Sequence, residues 1–496
     1  MKNVRKIIAV ALCLILAFSA TAVLGYAAEA VAPTRITVSV KGDSSTTKGI
    51  AWFTKAEAET TAEVFKDGID VTDSVSIVDV SCSAWEGSYS HKLTITNLEP
   101  GTEYSFRVGD GVNWSDMGSF ITDDGDSQFD FIAIADVQAS NLGNFEKGAA
   151  TLRAAFEVMP NAEFVANMGD YTNDSTNEEW DLFDQTFAQL NLMSTGVPVA
   201  GNHDGFGSGA KYWFSKMFNL DESESVQTKN GVNYSFDYGN AHFAVLNTND
   251  MLSVSQPQLT WLKNDLNSTA KDWKIVFMHK SPYTLGKDGK WPDALFLQES
   301  LTEVLDECNV DLVMSGHDHM YLRTKQLKGN AVVEDGTTYV LSGTAGSKRY
   351  EIRSFLADSF MKTDFIAALT VQKNGYGNYW NGSDWNSKSD TNIGGCFNCI
   401  SINGGELTLK SYILADELDE NEEQVITEID SFTLTKQEGQ NVATFSGDNT
   451  TSKMQYLMGI LPSFVKLAIY TFTKWLPTFM KILPRIVDVY AKEGTF

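Results

Sequence analysis

The sequence predicts a small all-β sandwich followed by a larger α/β core, and three observations carry that prediction. Short runs of alternating polar and apolar residues, separated by Gly- and Asx-rich turns, fill 33–122. From 128 to 436 the rhythm changes to apolar strands alternating with helical stretches. Between the two lies a polar linker, DDGDS, at 123–127.

Taken in order, the chain opens with Lys2, Arg5 and Lys6, then an uncharged run from Ile7 to Ala28 and a small-residue site at Ala28-Glu29-Ala30. Residues 1–30 therefore read as a secretory signal peptide, with an uncleaved anchor as the alternative, and either places the rest outside the cytoplasm. Strand-like runs follow at Arg35 to Val40, Ile50 to Thr54, His91 to Leu98, Glu103 to Gly109 and Gly118 to Thr122. The stretch Leu98 to Tyr104, LEPGTEY, resembles the tyrosine corner of fibronectin type III domains, and Trp52 suits its core. No cluster of ionisable groups appears here, so this domain positions or recognises and does no chemistry. In the core, helices are expected at Asn144 to Val158, Glu178 to Leu192, Gln256 to Leu266 and Gln298 to Cys308, with late strands at Phe397 to Ile402, Glu406 to Ile413 and Ile429 to Thr435. Residues 351–395, rich in Asn, Gly, Ser, Trp and Tyr, read as a long loop insertion.

After a linker at 437–453 comes an apolar tail, 454–490, interrupted by Lys466, Lys474, Lys481 and Arg485. On a helix these cations share one stripe opposite Phe464, Val465, Ile469, Phe472 and Trp475, while Pro462, Pro477 and Pro484 break or kink it. The tail reads as an amphipathic segment lying on a membrane surface, the alternative being a helix docked on protein.

Composition narrows the function. The 38 Lys and Arg against 64 Asp and Glu give a net charge of −26, which excludes a nucleic-acid binder of the usual basic kind. Beyond Cys13 of the leader the chain has Cys82, Cys308, Cys396 and Cys399, too few for a disulfide framework. Cys396 and Cys399 form a lone C-x-x-C with no second pair, read as buried thiols or a local disulfide ahead of a redox pair or half a zinc site.

The chain has only six histidines. Five strand-like runs each end in a polar cluster: FIAIAD at Asp136, FVANMGD at Asp170, VPVAGNHD at Asn202 and His203, KIVFMH at His279, and DLVMSGHDH at His317 and His319. In α/β sheets ligands bind beyond the carboxyl ends of the strands, where all five clusters fall. Two carboxylates, a carboxamide oxygen and three imidazoles, without a thiolate, suit a pair of divalent or trivalent first-row ions. Such a pair, bridged by Asp170, activates water and stabilises an in-line phosphoryl transfer, so the predicted chemistry is phosphoester hydrolysis. His91 and His242 read as structural, and Gly343, Thr344 and Ala345 either line the site floor or form a plain turn.

The series resembles the calcineurin-like metallophosphoesterase superfamily, and the sandwich ahead of it resembles purple acid phosphatases. The resemblance implies a four-layer α/β/β/α sandwich and an exported, acid phosphatase-like phosphomonoesterase. One ion (Fe, Mn or Zn) is then held by Asp136, Asp170 and His319, the other by Asp170, Asn202, His279 and His317. His203 matches the histidine that contacts phosphate and assists the leaving oxygen. Three departures stand out. Purple acid phosphatases place an iron-binding tyrosine three residues after the Gly-Asp aspartate; here that position is Asn173, a candidate metal or supporting residue, and Tyr171 is one residue on. Gln138 stands where purple phosphatases have glycine and other branches a histidine ligand, and either binds a metal through its carbonyl or hydrogen-bonds a metal-bound water. Lys280 follows His279 where more histidines are common, as either a substrate-phosphate contact or a solvated lysine. The alternatives are a phosphodiesterase acting on nucleotides or phospholipid headgroups, and a non-catalytic cell-surface binding protein. The expected partner is a phosphorylated small molecule or surface substrate.

Overall fold

The computed structural model describes residues 31–205, 213–221, 232–249, 256–286, 294, 296–350, 363–371, 377–380, 385–388, 394–418, 424–436 and 444–445. The leader at 1–30 and the tail at 454–490 lie outside them. The chain divides into two compact units, and segments 187–195 and 215–220 group with the first of them.

The first unit is a β-sandwich. One sheet runs β1 (Thr34–Val40), β2 (Lys48–Thr54), β6 (Ser88–Thr96), β5 (Ser76–Trp85), all antiparallel. The other runs β4 (Ile69–Asp70), β3 (Thr61–Lys66), β7 (Glu103–Gly109), β8 (Gly118–Ile121). Side chains two apart share a face, so Ile36 and Val38, Ile50 and Trp52, and Leu93 and Ile95 of one sheet bury against Tyr104, Phe106, Val108 and Phe120 of the other. Tyr104 is buried and its hydroxyl oxygen accepts the Glu99 N–H at 3.0 Å, the corner expected from LEPGTEY. Trp52 stacks on His91, whose ring nitrogens meet the Thr54 and Thr60 hydroxyls at 2.9 and 2.7 Å, a structural role for that histidine.

The second unit has two sheets face to face. In one, β9 (Gln128–Ile134) pairs in parallel with β10 (Phe164–Asn167), beside which lies β11 (Thr195–Pro198). On its other edge β9 pairs antiparallel with β23 (Cys396–Asn403), followed by β24 (Glu406–Leu418), β25 (Gln424–Thr435) and β26 (Thr444–Phe445), which falls within the expected linker. The facing sheet runs β12 (Tyr234–Tyr238), β13 (Ala241–Leu246), β14 (Trp273–Met278), β15 (Leu312–Ser315), β19 (Thr338–Ser342), β16 (Tyr321–Thr324), β20 (Ile366–Val371), β21 (Gly377–Trp380), β22 (Trp385–Lys388). A separate hairpin joins β17 (Leu327–Lys328) to β18 (Ala331–Val332). The last three strands of the facing sheet lie inside 351–395, so the segment read as a loop insertion contains sheet.

Alternation along each strand builds the layers. Phe129, Phe131 and Phe164 of the first sheet meet Phe243 of the second, and Phe131 also meets Phe277. The intervening residues Ala244, Leu246, Val276 and Met278 turn the other way, onto α3 (Gln256–Ser268) and α4 (Thr302–Glu307) through Leu259, Leu262, Leu266 and Leu305. Helix α1 (Leu142–Val158) covers β9, β23 and β24, and its Asn141 side chain caps it by accepting the Asn144 N–H at 3.1 Å. A further helix, α2 (Asn177–Leu192), follows β10 in the chain. The result is the α/β/β/α arrangement. Arg323 of β16 crosses to Asp430 of β25 with two hydrogen bonds, 2.6 and 3.1 Å, tying the two sheets together.

Cys308, Cys396 and Cys399 are buried, Cys82 is exposed, and all four are unbridged. Three residues apart on one strand, Cys396 and Cys399 point to opposite faces, and burial pushes the Cys399 thiol up to about 12. They are inert thiols rather than a redox pair.

Candidate metal centre

Each strand-end cluster begins where its strand stops. Asp136 follows β9, Asp170 follows β10, Asn202 and His203 follow β11, His279 follows β14, and His317 and His319 follow β15. Three of these residues leave the strand in the left-handed region, Asp136 at φ 56°, Asp170 at φ 57° and His317 at φ 75°, and Gln138 joins them at φ 36°. Each such residue costs about 1–3 kcal/mol, which marks the loops as shaped for a purpose other than stability. Two glycines make the crowding tolerable. A Cβ on Gly169, at φ +97°, would lie 2.8 Å from His279 Nδ1, and one on Gly201 would lie 2.0 Å from the Asp170 nitrogen.

The side chains converge as two groups that share one carboxylate. Ligand atoms of Asp170, His279 and His317 lie within 4.8 Å of one another, and so do those of Asp136, Asp170 and His319. His279 Nε2 is 3.3 Å from Asp170 Oδ2, 3.0 Å from Asn202 Oδ1 and 3.2 Å from His317 Nδ1. His319 Nε2 is 3.7 Å from Asp136 Oδ1. All but Asn202 and His317 are essentially closed to solvent.

Hydrogen bonds outside the cluster fix which nitrogen faces in. His279 Nδ1 lies 2.7 Å from the Met168 carbonyl and His319 Nδ1 lies 2.7 Å from the Lys348 carbonyl. A carbonyl only accepts, so Nδ1 carries the proton in both rings and Nε2 turns a lone pair inward. The Tyr350 ring stacks on His319 at 4.4 Å. The inward-facing atoms are thus almost all acceptors, an arrangement that requires positive charge. Without a metal that charge falls on His279: burial works against it, but the Asp170 and Asp136 carboxylates hold its pKa up at about 9. Burial pushes His317 far down, with His279 and Lys280 adding to the effect, and brings His319 to about 3. Burial also raises Asp136 well above the usual carboxylate range, whereas Asp170, though equally buried, is held low by His279. An acceptor-only, carboxylate-bridged cluster of this kind fits a pair of cations.

The other expected residues take distinct places. His203 opens a 3₁₀ turn; its backbone N–H donates to Asp170 Oδ1 at 2.8 Å and its Nδ1 to the Asn173 carbonyl at 2.5 Å. Asn173 turns its side-chain amide to Asp174, at 2.9 Å, so what it gives the site is its backbone. Gln138 donates its N–H to the Asp170 carbonyl at 2.7 Å. Lys280 is half-buried and donates its backbone N–H to the Thr248 hydroxyl at 2.8 Å. Tyr171 is packed on Trp180 and Phe183. Thr344, in the strand-end turn after β19, donates its hydroxyl to the Asp136 carbonyl at 2.8 Å, so that turn braces the site.

One residue escaped the sequence reading. Asp204, 1% exposed, accepts the Gly201 and Asp170 N–H groups on Oδ2 at 2.8 and 2.9 Å and the Tyr171 N–H on Oδ1 at 2.8 Å. Its position as the last residue of GNHD was the available signal.

Residues 129–321 match the calcineurin-like phosphoesterase family, and residues 33–122 match the N-terminal domain of purple acid phosphatases. Among curated proteins the chain is similar to purple acid phosphatases 22, 23 and 21 of Arabidopsis thaliana, at 24%, 24% and 25% identity over 317, 291 and 270 residues. These alignments take in 61%, 52% and 52% of this chain and 69%, 62% and 58% of the relatives. Two solved structures share its fold. The purple acid phosphatase PPD1 from yellow lupin (Lupinus luteus) seeds has a TM-score of 0.60 and 16% identity, over 82% of this chain and 75% of that one. PhoD has a TM-score of 0.57 and 12% identity, over 88% of this chain and 98% of that one.

Proposed function

We propose that this chain, a calcineurin-like phosphoesterase domain behind a purple acid phosphatase N-terminal domain, is an exported hydrolase with a dinuclear metal centre that cleaves phosphomonoesters. The observation that carries the reading is the pair of triads sharing Asp170. Asp136, Asp170 and His319 would hold one ion, and Asp170, Asn202, His279 and His317 the other. When bound, two such ions supply an activated water and offset the charge on the transferring phosphoryl group.

The chain's own residues do the rest. His203 is the acid partner: with Nδ1 committed to the Asn173 carbonyl, only the imidazolium form has a proton to give from Nε2, which would go to the departing alkoxide oxygen. Its backbone N–H on Asp170 ties the position of that ring to the bridging carboxylate. Lys280, close enough to depress His317, places a positive charge for substrate phosphate. Export rests on the leader at 1–30, and peripheral membrane attachment on the basic, apolar tail; among the described residues no helix is long and apolar enough to cross a membrane.

Parallel assays on p-nitrophenyl phosphate and bis(p-nitrophenyl) phosphate test the substrate class. The expected result is faster turnover of the monoester, with His203→Asn keeping its metal and losing turnover by about 10²-fold or more. Turnover of the diester alone would favour the phosphodiesterase reading. Inactivity on both after loading with Mn, Fe or Zn would favour a binding protein.

A further inference from the structure

We propose that Gln138 completes the Asp136, Asp170 and His319 site by giving its side-chain carbonyl oxygen to the ion held there, and that this neutral oxygen biases the position toward Mn²⁺ over Zn²⁺. The inference rests on the two-ion reading above and names a ligand particular to this chain.

Gln138 is 6% exposed, and its Oε1 is buried with no hydrogen-bond partner. A buried amide oxygen without a donor is destabilising, and native proteins seldom keep one without a reason. The backbone ties it to the Asp170 loop. Its N–H is bonded to the Asp170 carbonyl, it stands two residues after Asp136, and the next residue, Ala139, bridges to Thr172. The loop is held there at φ 36°, a conformation that a glutamine adopts only at a cost. A cation held by Asp136, Asp170 and His319 would satisfy this oxygen. An amide oxygen is a harder donor than an imidazole nitrogen, so its presence favours Mn²⁺ relative to Zn²⁺.

Gln138→Met keeps the length of the side chain and removes the oxygen, so the two states of the protein should respond with opposite signs. Without metal the variant sheds an unsatisfied buried carbonyl and should melt no lower than wild type. In calorimetric titration of the full chain with Mn²⁺, one of two binding events should weaken by about 10-fold or more while the other is unchanged. Gln138→His should raise the Zn to Mn ratio taken up from an equimolar mixture. A Mn²⁺ isotherm for Gln138→Met that superimposes on wild type overturns the inference, as does a Zn to Mn ratio unmoved in Gln138→His. Asp170→Asn, run alongside, separates the two levels. If it still binds two ions as tightly as wild type, the dinuclear reading itself fails; if it loses them while Gln138→Met does not, only the role of Gln138 fails.

Discussion

At Asp204 one buried carboxylate accepts backbone N–H groups from both the Gly-Asp loop and the Gly-Asn-His-Asp loop, so it sets the spacing of Asp170 and Asn202 without facing the ions itself. Burial, with the Asp170 charge beside it, lifts its carboxyl to about 7. Asp204→Asn replaces an acceptor with a donor aimed at N–H groups, leaving at least one of them unsatisfied at about 1–3 kcal/mol. The expected outcome is a lower melting temperature together with metal affinity reduced about 10- to 100-fold, read by titration with Mn²⁺. Unchanged affinity in a folded variant would confine Asp204 to a role in folding. GNHD was legible as a motif, Asn202 as a carboxamide donor, and the role of His203 through the resemblance. Asp204 was not, because its partners are backbone amides, which a sequence does not display. Asn173 shows the same limit: its side chain drew attention, yet its carbonyl is what holds His203.

Among the elements, strands buried on both faces were easy to read, as were the alternating β7 and β8, whereas others were not. The runs ending at Asp136 and His279 are continuous apolar stretches because each lies between a helix layer and the opposing sheet. Helix boundaries were right to within a few residues where an apolar stripe faced a sheet. By contrast β5 exposes much of both faces, so alternation is diluted there, and β3 went unread as well. The strands β20 to β22 extend the sheet from β16 by backbone hydrogen bonds, in a segment whose composition reads as loop. Strand and helix alternation points only to an α/β core, the two-sheet sandwich being what the resemblance implies; the aromatic layer between β9, β10 and β13 shows the two sheets facing each other.

The two histidines outside the site hold elements together with opposite pH dependence. His242 of β13 bonds Asp237 of β12 at 2.7 Å and Asp265 of α3 at 2.9 Å, and these carboxylates, against the pull of burial, raise it from 6.5 to about 9. Its contribution, about 3 kcal/mol at most, is fully present below pH 6.5 and is lost as pH rises toward 9. Burial lowers His91 from 6.5 to about 4, so the sandwich loses stability as pH falls through that interval. Melting curves should show the wild-type advantage over His242→Gln shrinking between pH 6.5 and 9, and the advantage over His91→Gln shrinking between pH 6.5 and 4. An advantage independent of pH in either case would contradict the assignment.

Across the whole molecule, charge and histidine are unevenly distributed. Four of the six histidines stand at the strand ends and two brace elements elsewhere. The whole chain carries a net charge of −26 although Lys466, Lys474, Lys481 and Arg485 punctuate an apolar tail outside the described residues, so the body is the acidic part. An acidic body with a basic, apolar tail suits attachment to an anionic lipid surface through the tail alone. Removing residues 454–496 should release the protein from vesicles containing anionic lipid and leave turnover of a soluble phosphomonoester unchanged. Equal vesicle binding with and without the tail would remove the membrane reading and leave the hydrolase intact.

The proposed hydrolase depends on a pair of metal ions bridged by Asp170. Elemental analysis of the full-length protein after metal loading, beside Asp170→Asn, tests it most directly. The expected result is two ions per wild-type chain, and loss of both metal and phosphomonoester turnover in the variant. Two retained ions with wild-type turnover in Asp170→Asn would contradict it.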